Sequence, residues 1–305
     1  MIDIILPAYN CNRWIEESIN SILNQSYKDW HLYIIDDNST NKESIKIIEK
    51  MIVDNNKITL IKNEKNLKAP GSRMKAIRRT SGEYITFIDQ DDIWHEDKLK
   101  KQIEIFKKYP DVDFVYGDLE LINQNGELIK GSNTKVVKNN DKQNFTINEL
   151  ISKLGTIRIG TVMVKRKPFL NIGGFDTKLF GGEEWDAWLK IIISGANFYH
   201  LNDILAYRRI HDNNVSKVYL KERFNNVIVM LNKFIDSEYG DSVKRFKQKY
   251  VLLRIINMIE QKHYKECKDF INEYIDDKKK KILLLGISNE IGKLLIVKYK
   301  RLKNM

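Results

Sequence analysis

The first 120 residues alternate between short apolar runs and stretches with helical spacing. Residues 2–6 (IDIIL), 31–36 (HLYIID), 58–62 (ITLIK), 84–88 (YITFI) and 112–116 (VDFVY) are short and apolar or alternating, which predicts strands. Between them, residues 12–25 place Trp14, Ile15, Ile19, Ile22 and Leu23 on one helical face. Residues 43–53, 71–80 and about 97–109 carry the same period. Strands separated by helices of this length predict βαβ units, so the fold class is α/β, a mostly parallel sheet flanked by helices. Beyond 118 the pattern changes. The Asn- and Lys-rich stretch 123–145 predicts a hairpin and loop, 157–164 and 203–210 predict strands, and 184–194 predicts a helix. From 217 to 274 the period is helical throughout, which places a domain boundary near 215 and divides the chain into 1–215 and a helical region 216–305.

In a sheet of this kind ligands bind outside the carboxyl ends of the strands. Those ends are chemically loaded. Pro7-Ala8-Tyr9-Asn10 follows the first strand and Asp36-Asp37-Asn38-Ser39 the second. Asp89-Gln90-Asp91-Asp92 follows the fourth, and the helix before it carries Arg73. Carboxylates crowded at the end of a buried strand repel one another and are costly to desolvate, so something must neutralise them. A hard divalent cation, held by one or two carboxylates and the phosphates of a substrate, does this. Arg binds phosphate oxygens in a bidentate manner, and Tyr9 offers an aromatic face to a base.

Composition changes this picture at three points. Only two cysteines occur, Cys11 and Cys267, which argues for a reducing compartment, the cytoplasm, and against disulfides or a zinc site. No basic n-region precedes the first strand and no run approaches the length of a membrane span, so neither a signal peptide nor a transmembrane helix is expected. The formal charge of +11 is uneven: residues 278–305 carry +8 and the rest only +3. That excludes a wholly basic, nucleic-acid-coating protein. The tail KKKKILLLGISNEIGKLLIVKYKRLKN places Leu284, Ile287, Ile291, Leu294 and Leu295 on one face. Such a helix can lie on an anionic membrane surface, at the inner face of the cell membrane, or dock on the protein.

The segments IILPAYN, SILNQSYKDWHLYIIDDNST, GEYITFIDQDD, GGFDTKLFGGEEWDAWLKI and YRRIHDNNVS occur in that order over residues 1–216. In these motifs the chain resembles family 2 glycosyltransferases of the GT-A fold, of the bacterial surface-polysaccharide type. The resemblance implies an inverting reaction with a nucleotide-activated sugar, UDP-linked by expectation, and a glycan or lipid-linked oligosaccharide acceptor. It implies that Pro7, Ala8, Tyr9, Asp37, Arg73, Asp89 and Gln90 hold the nucleotide-sugar. Asp91 would ligate Mn²⁺ or Mg²⁺, and His211 would be a metal ligand or a hydrogen-bond donor to the diphosphate.

Inversion also needs a carboxylate to take the acceptor's proton. Where the family carries Glu-Asp this chain has Glu183-Glu184, so Glu184 falls at the general-base position with a side chain one methylene longer. Asp186 is the reserve. Gly181-Gly182 supplies the permissive backbone before them. Trp185, Trp188 and Trp94 are expected chiefly to pack, Asp36 to brace its loop, Asp92 to cap a helix, and His95 with Arg78-Arg79 to be solvated. A nucleotidyltransferase would be expected to show a Gly-rich phosphate loop after the first strand, where this chain has PAYN. A non-catalytic relic of the fold is the other alternative, for which Glu184 is the only hint.

Overall fold

The computed structural model describes residues 1–11, 14–53, 55–129, 142–212, 214, 220–275 and 284. Its strands are β1 (Ile2–Ala8), β2 (Trp30–Asp36), β3 (Ile58–Lys62), β4 (Tyr84–Phe87), β5 (Ile93–Trp94), β6 (Phe114–Ile122), β7 (Lys142–Gln143), β8 (Met163–Lys165) and β9 (Phe198–Arg209). The helices of the first compact unit are α1 (Trp14–Leu23), α2 (Lys42–Ile52), α3 (Lys68–Ile77), α4 (Lys98–Lys108), α5 (Ile147–Lys153), α6 (Arg166–Asn171), α7 (Glu183–Ile193) and α8 (Leu220–Asn232).

The strands form one sheet in the order β3-β2-β1-β4-β8-β6-β9-β5, with β7 paired to β9. The leading half, β3-β2-β1-β4, is parallel throughout. The sheet then becomes mixed: β8 runs antiparallel to both β4 and β6, while β6 and β9 are parallel. β1 is buried along its whole length, as a central parallel strand covered on both faces must be. α1 adds Ile15, Ile19 and Ile22 to the core on one side of the sheet. On the other side Trp188 is fully buried, with its ring centroid 5.0 Å from Phe114, 5.9 Å from Phe175 and 6.3 Å from both Phe87 and Phe169. Trp94 also packs, with the ammonium of Lys98 4.1 Å from its ring centroid. Lys98 is itself fully buried and donates to Thr86 Oγ1 and Gln102 Oε1, and burial pushes its pKa far down.

Several elements differ from expectation. The run 157–164 pairs only at its end, in β8; before that it makes a 3₁₀ turn at Ile159–Thr161, just after another at Leu154–Thr156. The strand expected at 112–116 runs on to Ile122, with register shifts between Gly117 and Leu119 that disguise its period. The strand expected at 203–210 begins earlier, at Phe198. Asp92 does not cap a helix; α4 starts later, behind Asp97. The chain divides into compact units between Tyr239 and Gly240, beyond the boundary expected near 215. The reason is α8, which buries Phe224, Val227 and Leu231 and ties itself to the loop before α7. Asn226 Nδ2 donates to the Phe180 carbonyl there, at 2.8 Å.

In the second unit, α9 (Gly240–Glu260) and α10 (Tyr264–Tyr274) form a helical hairpin. Lys262 at φ 63° turns the chain, and the Cys267 thiol lies 3.9 Å from the Ile255 carbonyl. Cys11 and Cys267 are both free and buried. Apart from Leu284, the basic tail lies outside the described residues, among which no helix is long and apolar enough to cross a membrane. Truncating Trp188 to Ala should lower unfolding free energy by about 3–5 kcal/mol. Denaturant titration would read this, and a change below about 1 kcal/mol would contradict the aromatic packing described.

Candidate active site

The loops after β1 and β2 are built as a pair. Asn10 and Asn38 both take left-handed backbone angles, φ 45° and 62°, which Asn tolerates better than most side chains. Asn10 Oδ1 accepts from the backbone N–H of Thr40 and of Asn41, and so stitches the first loop to the second. Tyr9 stands out into solvent, while its backbone is held by Gln90. Gln90 Oε1 accepts from Tyr9 N–H at 2.8 Å and Gln90 Nε2 donates to the Tyr9 carbonyl at 3.2 Å. Asp37 is buried and accepts from Asn63 Nδ2 and Leu67 N–H, both at 2.7 Å, so it also anchors the loop leading into α3. Asp36 braces its own loop by accepting from Ser39 N–H.

Each carboxylate after β4 has its own partner. Asp89 accepts from Arg73 Nη2 at 2.7 Å. Asp91 Oδ2 lies 2.6 Å from His211 Nε2 and accepts from Asn214 Nδ2 at 3.3 Å. Asp92 is buried and accepts from the backbone N–H of Arg209 at 3.0 Å. Burial pushes the Asp92 carboxyl well up, with Asp91 and Asp89 adding to the effect. Arg209 is fully buried and reaches the carbonyls of Asp91, Asn123 and Gln124 as well as Glu17. The His211 ring packs 4.5 Å from Trp14 and its Nδ1 is buried without a hydrogen-bond partner.

The first turn of α7 forms the opposite wall. Gly181, at φ 85°, turns the chain where a Cβ would come 2.7 Å from Arg223 Cγ. Its N–H donates to Glu183 Oε2, while Glu183 Oε1 accepts from Arg73 Nη1 at 3.1 Å. Arg73 is thus a buried guanidinium between two carboxylates from different segments. Burial opposes its charge, but Asp89, Glu183 and Glu184 outweigh that and hold its pKa above the usual value. Half-buried Glu184 faces the cavity, and its carboxyl is pushed up by burial and by Glu183.

Most of these groups meet in one cavity of about 530 Å³. Pro7, Ala8, Tyr9 and Asp37 line it from the first two strand ends. Arg73, Asp89, Gln90, Asp91, Glu184 and His211 line it as well. Asp186 does not line the cavity. It sits two residues past Glu184, about 200° round the helix, fully buried against Lys190 at 2.5 Å. It therefore cannot reach a substrate in this cavity. Sequence reasoning missed Glu183 and Asn214, and three cavity arginines, Arg158, Arg208 and Arg223. The helical period of EEWD already put Glu184 and Asp186 on opposed faces; the arginines come from three separate segments with no local signal.

Among the described residues no group of three or more His, Cys, Asp or Glu side chains gathers as a metal cage. Asp91 and His211 nevertheless present a hard carboxylate and an imidazole side by side at the cavity. That pair fits a divalent cation whose other ligands are substrate oxygens and water.

Residues 3–173 match the family model described as glycosyl transferase family 2. The chain belongs to this family. It is a glycosyltransferase. Over 192 residues, 63% of the chain and 70% of the relative, this family 2 enzyme is 34% identical to Escherichia coli WfgD. That protein is a UDP-Glc:α-D-GlcNAc-diphosphoundecaprenol β-1,3-glucosyltransferase. Among solved structures it is similar to S. aureus TarS 1–349 in complex with UDP-GlcNAc, with a TM-score of 0.67, 18% identity and coverage of 88% and 80%. It is also similar to the Pyrobaculum calidifontis mannosyltransferase PcManGT with GDP-Man and Mn²⁺, with a TM-score of 0.62, 17% identity and coverage of 82% and 70%. These two likenesses establish the fold, GT-A.

Replacing Arg73 by Met should cost roughly 3–5 kcal/mol of stability, because it leaves Glu183 buried without its counter-charge. Urea unfolding of the variant checks this; an unchanged midpoint would mean that the Arg73 bridge is not formed in solution.

Proposed function

We propose that this glycosyltransferase moves a hexose, with inversion, from a UDP-linked donor to a hydroxyl of a lipid-linked saccharide in cell-surface glycan assembly. The observation that carries the reading is the position of Glu184, across one cavity from the strand-end groups after β1, β2 and β4. Tyr9 offers a ring to the base, and Asp37 and Asp89 offer carboxylates to the base and ribose. Asp91 and His211 would hold Mn²⁺ or Mg²⁺ against the diphosphate. That cation, when bound, neutralises charge on the leaving nucleoside diphosphate.

Glu184 then accepts the proton of the acceptor hydroxyl as its oxygen bonds to the anomeric carbon. The nucleoside diphosphate departs from the opposite face, so the configuration at that carbon inverts. A carboxylate with a raised pKa is a stronger base and suits this role, provided the working pH keeps it ionised. The UDP-linked donor, the β-linked product and the diphosphate-lipid acceptor of WfgD support this choice of substrates. The UDP-GlcNAc bound by TarS, which shares the fold, supports a nucleotide-sugar donor.

Asp91→Ala should abolish turnover together with metal-dependent stabilisation by UDP, read by thermal melting with and without Mn²⁺. Glu184→Gln should keep donor binding but lose roughly 10²–10⁴-fold in transfer rate. Normal transfer by Glu184→Gln would remove Glu184 as the base. Because its folded pKa is raised, the inactive protonated form persists to higher pH than for an ordinary glutamate. The acid limb of the rate profile should therefore lie above 4.5. A limb at or below that value would contradict the assignment.

A further inference from the structure

The cavity contains more positive charge than the donor site accounts for. Arg158 stands between the two 3₁₀ turns that precede β8, Arg208 is the penultimate residue of β9, and Arg223 lies in the first turn of α8. All three line the cavity together with Glu184. Arg223 Nε donates to the Gly181 carbonyl at 3.1 Å, which fixes this side chain beside the turn that carries Glu184. The cluster is held against its own repulsion. Burial, Arg208 and Arg223 push Arg158 down to about 10, and Glu184 only partly offsets them. Arg208 also acts on the Asp92 carboxyl, pulling against the burial that raises it. Like charges gathered in a partly desolvated wall are a strong binding site for an anion.

The place of the cluster indicates which anion. A general base must touch the attacking hydroxyl, so the acceptor sugar lies against Glu184. Arg158 and Arg223 act on that carboxylate, and Arg208 on Arg158, so the cluster lies on the acceptor's side. A sugar carrying phosphate at its anomeric position can offer a ring hydroxyl to Glu184 and its phosphate oxygens to arginines on the same wall. Arg suits this task because its planar fork matches phosphate oxygens.

We propose that Arg158, Arg208 and Arg223 form an anion subsite on the acceptor side of Glu184, which selects acceptors bearing phosphate on the accepting sugar. The subsite rests on the reading of the cavity as a donor-and-acceptor site. It makes the phosphate, and not the lipid chain, the recognised part of a lipid-linked acceptor.

The test is calorimetric titration of the full chain with N-acetylglucosamine 1-phosphate and, separately, with N-acetylglucosamine. Each is run with and without saturating UDP and Mg²⁺. The 1-phosphate should bind at least about tenfold more tightly than the neutral sugar, and should still do so with UDP in place. Arg158→Gln and Arg223→Gln should each remove most of that preference while leaving the Kd for UDP within about twofold. Arg158→Lys should retain part of it, and melting curves establish that each variant is folded. Equal affinity for the two sugars would overturn the subsite. So would displacement of the 1-phosphate by UDP, or loss of UDP affinity in step with the 1-phosphate, since the arginines would then serve the donor. Failure of UDP to bind, with the phosphate preference intact, would sink the donor reading and still support the subsite.

Discussion

The Arg73 guanidinium between Asp89 and Glu183 is the interaction on which the site depends. It joins three parts of the chain, α3, the end of β4 and the first turn of α7, at 2.7 and 3.1 Å. Arg73 and Glu183 are almost wholly shielded from water, so removing either would strand the other in a poorly polarisable interior. The neighbouring Glu184 owes its position to this bridge. Glu183 binds Arg73 with one oxygen and the Gly181 N–H with the other, and so fixes the turn from which Glu184 projects.

The same economy runs along the acidic segment after β4. Asp89, Asp91 and Asp92 would repel one another at one strand end, but each has a different partner: a guanidinium, an imidazole with an amide, and a backbone N–H. Gln90, between them, clamps the backbone of Tyr9. The floor of the cavity is therefore organised before any ligand enters, as a site that acts by placing charge must be.

Much of this was legible in the chain. β1 to β4 show as apolar runs because a parallel sheet covered on both faces leaves them no polar side to display. Their loaded ends mark the ligand edge where the cavity lies. What was not legible has a common physical cause, which is dependence on distant partners. Ile157 to Val164 is apolar enough to read as a strand, yet only β8 finds an edge to pair with, and the residues before it turn beside Asp92. β9 starts at Phe198 because β6 is there to receive it. Asp186 looks as acidic as Glu184, but it is turned toward Lys190 and into the protein. Arg158, Arg208 and Arg223 have no shared sequence signal because only the folded sheet and α8 bring them together.

Those long-range ties also set when the site can exist. Asp91 and His211 are 120 positions apart, and Asp92 waits for Arg209. At roughly 5–20 residues per second, a ribosome takes roughly 6–24 s to pass from one to the other. Throughout that interval the nascent chain carries the acidic run after β4 without the histidine, amide and backbone groups that hold it in the finished protein. Catalytic competence is thus a late event in synthesis. A chain stalled before His211 could have its parallel half-sheet in place and still lack a working centre.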